Sequence, residues 1–157
     1  MKKSILILTV LMTTLKVNAQ EIQQEKEILR NIVEQTFANG ALNKLSTDKM
    51  KKGFHPDFAI LIAKENNLYR LFLKDWVNVV EQYKQSEKQM NSGVRNLNYT
   101  IEVLDITEKT AVVKTEFFRK EQLVITDYLS YIKFPEGWKA VAKISHEHIP
   151  NPLNLNL

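Results

Sequence analysis

Four segments of alternating apolar and polar residues, about 98–106, 111–119, 124–134 and 138–148, end this chain with very little sequence between them. The connections are Thr107-Glu108-Lys109-Thr110, Lys120-Glu121-Gln122 and Pro135-Glu136-Gly137. A period of two marks strands with one buried face. Turns this short leave no room for a crossover, so consecutive strands must lie antiparallel. About a third of the chain is thereby committed to a meander, and the rest must supply whatever covers its apolar face.

The preceding residues provide helices and a hairpin. Across 21–39, Ile22, Leu29, Ile32, Val33, Thr36 and Phe37 recur at helical spacing, acids cluster in the first turn, and Gly40 is a natural stop. A short second helix is expected near 46–52, capped by Ser46 or Thr47, with Met50 inward. Phe58, Ile60 and Ile62 then alternate, Glu65-Asn66-Asn67 turns, and 68–73 returns as a second strand. Asp75 can cap a third helix whose inner face is Trp76, Val79, Val80 and Tyr83. Residues 85–98 are polar and read as loop. Segregated helices and antiparallel strands make an α+β domain with helices on one face of the sheet.

The last hairpin decides which residues face those helices. A two-residue loop at Glu136-Gly137 places Lys133, Tyr131, Leu129 and Asp127 on one face with Trp138, Ala140, Ala142, Ile144 and His146. A three-residue loop brings Phe134, Ile132, Ser130, Tyr128 and Thr126 to that face instead. The first arrangement is favoured, because leucine and tyrosine then meet a lane of alanines.

The amino end has a different character. Lys2 and Lys3 precede the uncharged run Ile5 to Leu15, and Val17-Asn18-Ala19 offers small residues for cleavage before Gln20. That is the pattern of a secretory signal over 1–19. Eleven apolar residues rise about 16 Å as a helix, too little for a hydrocarbon core of about 30 Å, so no stable membrane anchor is expected after cleavage. The expected location is periplasmic or secreted. Lys2, Lys3 and Lys16 leave with the signal and no acid does, which takes 22 basic against 18 acidic residues to 19 against 18. The apparent basicity therefore gives no reason to expect a nucleic-acid partner. The chain has no cysteine, which excludes disulfides and a lipid anchor on cysteine. One domain over 20–149 is expected, followed by a flexible tail over 150–157.

The element order, Phe54-His55-Pro56-Asp57 before the hairpin, Thr126-Asp127-Tyr128-Leu129-Ser130 in the penultimate strand and Gly137-Trp138-Lys139-Ala140-Val141 in the last resemble the nuclear transport factor 2-like superfamily. Within it the chain is similar to the SnoaL-like group that carries a lumazine-binding label. The resemblance implies a cone: a strongly curved antiparallel sheet wrapped around three helices, with a pocket at its open end. It also implies a homodimer through the outer sheet face. The superfamily hosts isomerases, dehydratases, cyclases and plain binding proteins, so the fold settles no activity.

Asp127, Tyr131 and His55 are the candidate acid–base residues. A carboxylate in an apolar pocket suits proton abstraction beside a carbonyl. Asp57 could orient His55. Each also has a plain structural reading, as a turn cap or a buried hydrogen-bond partner. Trp76, Tyr99, Trp138 and His146 are candidate ligand contacts, although both tryptophans are explained equally well as core. His146 and His148 form a pair too small for a metal site without a third ligand. No glycine-rich phosphate loop or nucleophile elbow is present, so no cofactor and no metal are expected. The expected partner is a small apolar or aromatic molecule in the pocket, with acid–base catalysis or protein interaction as the alternatives. Intact-mass measurement on the exported protein should find a chain beginning at Gln20; one beginning at Met1 would refute the export reading.

Overall fold

The computed structural model describes residues 20–155; the proposed signal over 1–19 lies outside them. Helix α1 is α-helical over residues 20–33 and continues in wider π turns over Glu34–Asn43. It is followed by α2 (Thr47–Gly53), β1 (Phe54–Lys64), β2 (Asn67–Phe72), α3 (Leu73–Lys84) and the single turn α4 (Glu87–Met90). The meander is β3 (Asn98–Thr107), β4 (Thr110–Arg119), β5 (Gln122–Phe134) and β6 (Gly137–Glu147). Among the described residues no helix is long and apolar enough to cross a membrane.

The strands form one six-stranded sheet in the order β2-β1-β6-β5-β4-β3. All neighbours are antiparallel except β1 and β6, which run parallel. That pairing joins the early hairpin to the far edge of the meander and closes helices α1 to α3 against one face. The curved sheet with helices in its concavity is the α+β cone architecture that the element order implies.

Several local expectations are modified. Ile22 is exposed, while Leu29, Val33 and Phe37 are fully buried, so the inner face of α1 begins about two turns later. Gly40 does not stop the helix. It sits buried under α2, where a Cβ would lie 2.6 Å from the Gln35 carbonyl oxygen and 2.9 Å from Lys49 Cβ. Helix α3 starts at Leu73 without a side-chain cap, and Asp75 lies in its first turn. Ser46 caps α2 and Met50 is buried. Residues 150–155, expected as a loose tail, lie against the body: Leu153 and Leu155 pack on the core, and the Arg119 guanidinium donates to the Pro152 carbonyl.

An aromatic cluster forms the centre of the core. Phe37 meets Phe117 edge-on at 5.6 Å between centroids, and Phe54 meets Phe58 at 4.6 Å and Trp76 at 5.3 Å. Edge-to-face pairs of this kind add to the burial term. Glu25 ties α1 to the β5–β6 hairpin, accepting from Lys133 Nζ at 2.8 Å and from Trp138 Nε1 at 2.9 Å. These two donors hold its carboxyl below the usual range.

Helices α1 and α2 approach closely at Gly53, where a Cβ would fall 2.1 Å from Thr36 Oγ1. Thr36 cannot swing away without losing its 2.7 Å hydrogen bond to the Ile32 carbonyl. Gly53→Ala should therefore destabilise by about 1–3 kcal/mol through overpacking. An unchanged urea midpoint would show that the two helices separate without cost.

Candidate functional site

Strand β6 determines the site. Gly137 pairs with Phe134, so the hairpin loop is Pro135-Glu136, one residue earlier than the expected two-residue loop and one residue shorter than the three-residue alternative. Lys133 then faces Trp138 and Tyr131 faces Ala140, which keeps the favoured face near the loop. Beyond Ala140 the register shifts: Ser130 pairs with Ala142, Leu129 with Lys143 and Asp127 with Ser145. Val141 is the extra residue of a β-bulge, which reverses the face of everything after it. Ala142, Ile144 and His146 are thereby turned to the outer side, and Lys143 and Ser145 turn inward.

The result is a buried polar cluster. Asp127 is fully buried and Lys143 is only 7% exposed. Asp127 Oδ1 accepts from Lys143 Nζ at 2.7 Å and from Ser145 Oγ at 2.5 Å, and Lys143 Nζ also donates to Ser145 Oγ at 2.6 Å. The ammonium lies 5.6 Å from the Phe37 ring centroid. Among the described residues Asp127 Oδ2 has no hydrogen-bond partner, and neither does the buried Thr115 hydroxyl, whose residue pairs with Asp127 across β4–β5.

Lys143 and Ser145 form part of the wall of a pocket of about 530 Å³. Ile60 and Ile62 of β1, Leu71 of β2 and Trp76 of α3 supply much of its apolar surface, and Leu153 and Leu155 of the carboxyl-terminal segment close one side. The volume is in the range of small-molecule sites. Asp127 stands one hydrogen bond behind the wall.

The other expected residues are dispersed. Tyr131 is buried, but four residues along β5 from Asp127 place it about 13 Å away. Its hydroxyl has no partner, and burial holds the phenol above its ordinary range, so it stays protonated. His55 and Asp57 do meet, with Nδ1 3.6 Å from Oδ2, but outside the pocket lining, where His55 stacks on Phe134 at the β5–β6 hairpin. Tyr99 donates to Glu34 at 2.9 Å and accepts from Asn39 at 2.8 Å, bracing the π turns of α1. Burial, reinforced by Glu34, raises its pKa. Trp138 is committed to Glu25. His146 is exposed and lies 4.6 Å from the His148 ring. Of the eight, Trp76 lines the pocket and Asp127 backs it. Among the described residues no group of three or more His, Asp or Glu side chains is placed to hold a metal ion.

Residues 24–146 match the protein family described as "Putative lumazine-binding". The chain belongs to this family. Among solved structures, this family member resembles a nuclear transport factor 2-like protein of unknown function from Shewanella baltica, with a TM-score of 0.58 and 16% identity over 80% of this chain and 95% of that one. It also resembles one from Silicibacter pomeroyi, with a TM-score of 0.57 and 14% identity over 75% and 91%. These likenesses establish the fold. A curated relative, an aldolase named FrzH from Cladobotryum sp, is 27% identical over 109 residues, 69% of this chain and 81% of its own length.

The Asp127–Lys143 pair gives a clear mutational expectation. Lys143→Met leaves a carboxylate buried without its counter-ion and should cost about 3–5 kcal/mol at neutral pH. Adding Asp127→Leu should recover most of that loss. Equal denaturation midpoints for the single and double variants would show that the two charges are not coupled.

Proposed function

We propose that this exported domain binds a small apolar molecule bearing a carbonyl or similar oxygen, with the oxygen seated at Lys143 and Ser145. The observation that carries this reading is a buried ammonium on the wall of a largely apolar pocket. An ammonium has three N–H donors, and among the described residues Lys143 has two oxygen partners. The third donor fits a ligand oxygen, and the aliphatic lining fits its body.

A second reading is acid–base chemistry beside that carbonyl. It is favoured by the partnerless Asp127 Oδ2 and by the likeness to a relative named as an aldolase, since aldolases act on carbonyl compounds. Lys143 would stabilise oxyanion charge, and Asp127, behind the wall, would receive the proton through the Ser145 hydroxyl that donates to it. Tyr131 and His55 have no part in this version.

Thermal unfolding against apolar ketones and aldehydes, beside hydrocarbons of matched size, separates the possibilities. A carbonyl ligand at about a hundred times its dissociation constant should add about 2.7 kcal/mol of stability. Ser145→Ala should narrow the preference for carbonyl over hydrocarbon. No stabilisation by any member of the panel would remove the binding reading. Deuterium exchange at the carbon beside the carbonyl, lost in Asp127→Asn, would support the enzymatic one, and its absence in the wild type would exclude it.

Val112, Tyr128, Ile132 and Ile144 are exposed apolar side chains on the outer sheet face, which supports self-association there. Sedimentation at high concentration should show a dimer; a monomer throughout would dismiss it.

A further inference from the structure

Away from the pocket floor, two arginines converge where the loop before β3 meets the end of β4 and the carboxyl-terminal segment. Arg95 is 8% exposed, and its Nε and Nη2 atoms are buried without a hydrogen-bond partner among the described residues. The Nε of Arg119 is likewise buried and without a partner. Arg119 Nη2 donates to the Val94 carbonyl at 2.9 Å and to the Pro152 carbonyl, which fixes its guanidinium against both segments. The Arg95 guanidinium lies 4.6 Å over the Tyr83 ring. Tyr83 also lines a small pocket of about 120 Å³ together with Gln89 and Leu155.

Among the described residues no carboxylate pairs with either arginine; the five ion pairs present all involve lysine or histidine. Desolvation lowers the Arg95 pKa from its usual value; the interaction with Tyr83 opposes this in part, and the nearby Arg119 cation adds to it. Guanidinium remains charged even so. A buried cation without a counter-ion is strongly unfavourable, and one aromatic face with two carbonyl oxygens does not neutralise two positive charges. Forked N–H donors match the paired oxygens of a carboxylate or phosphate.

We propose that Arg95 and Arg119 form a binding site for a small oxyanion, the carboxylate or phosphate group of a ligand distinct from the occupant of the larger pocket. The site lies between the 91–97 loop and residues 150–155, so an anion there also pins the segment that closes one side of the larger pocket.

The test is thermal unfolding of the exported chain at constant ionic strength, with chloride replaced stepwise by inorganic phosphate or by acetate. A saturable rise of about 3–8 °C is expected with at least one of them. The phosphate and acetate arms separate a tetrahedral from a planar preference. A rise that continues linearly is general salt exclusion from the surface and would overturn the proposal. Arg95→Met provides the second readout. Removing an uncompensated cation should leave the melting temperature in chloride equal to or above the wild type and should abolish the saturable rise. A variant that melts lower in chloride or fails to fold would mark Arg95 as structural and end the proposal. Arg119→Gln checks the pair independently: it should also lose the saturable rise, and an undiminished response would overturn a two-arginine site.

Discussion

A single extra residue in β6 makes the buried charge pair possible. Val141 bulges out of the ladder with β5, and the strand beyond it is rotated by one side-chain position. Without that shift Asp127 would pair with Ile144 instead of Ser145, and Lys143 would point to solvent. The bulge thus brings an ammonium and a hydroxyl onto a carboxylate at hydrogen-bond distance inside the cone. Desolvating two ions is costly unless both are well paired, and here the lysine satisfies one carboxylate oxygen together with Ser145. Among the described residues the other oxygen has no partner, and neither has the hydroxyl of Thr115, the ladder neighbour of Asp127. The polar end of the pocket is therefore tense, and a ligand or an internal water could relieve it.

The remaining elements hold that end in place. The parallel contact between β1 and β6 cannot be continuous, because Phe54 pairs with Ala140 while Ala59 already pairs with Ala142. The residues between them bulge around Pro56, which has no N–H to contribute. That second irregularity turns His55 toward Phe134 at the hairpin and away from Asp127. It also sets Ile60 and Ile62 along the pocket wall. Irregularities on neighbouring strands thus divide the candidate residues into one group at the hairpin and another at the pocket.

Much of the architecture follows from local signals in the sequence. Short turns force the meander, the period of two places Leu129 and Tyr131 inside, and the helical spacing of Trp76, Val80 and Tyr83 gives the inner face of α3. The site is less legible because it depends on non-local pairing. Nothing within Ala140-Val141-Ala142 marks a bulge, so alternation carried past it assigns His146 to the interior and Lys143 to the exterior. A lysine in a strand normally reads as a solvent-facing residue, and only the placement of Asp127 opposite its neighbour reveals otherwise. The same holds for residues 150–155. Their Pro and Asn content suggests a loose end, yet Leu153 and Leu155 find an apolar groove supplied by β1 and β2.

Buried polar atoms without partners are few in native proteins and call for a physical reason. Among the described residues they fall at three places: Thr115 with Asp127, the Arg95–Arg119 pair, and the Tyr131 hydroxyl. The first adjoins the polar wall of the larger pocket and carries excess acceptor capacity. The second carries excess donors and positive charge. A chain selected for stability alone would replace both sets with apolar side chains of similar size, as buried ion pairs can often be replaced without loss. Retaining both sets is consistent with the two proposed occupants, a neutral carbonyl compound at the first and an anion at the second. Residues 150–155 touch both places, through Leu153 and Leu155 at the larger pocket and through the Pro152 carbonyl at Arg119. If both proposed sites are occupied, a ligand that orders this segment at one would lower the entropy cost of ordering it at the other, which would couple them without requiring a change in the sheet.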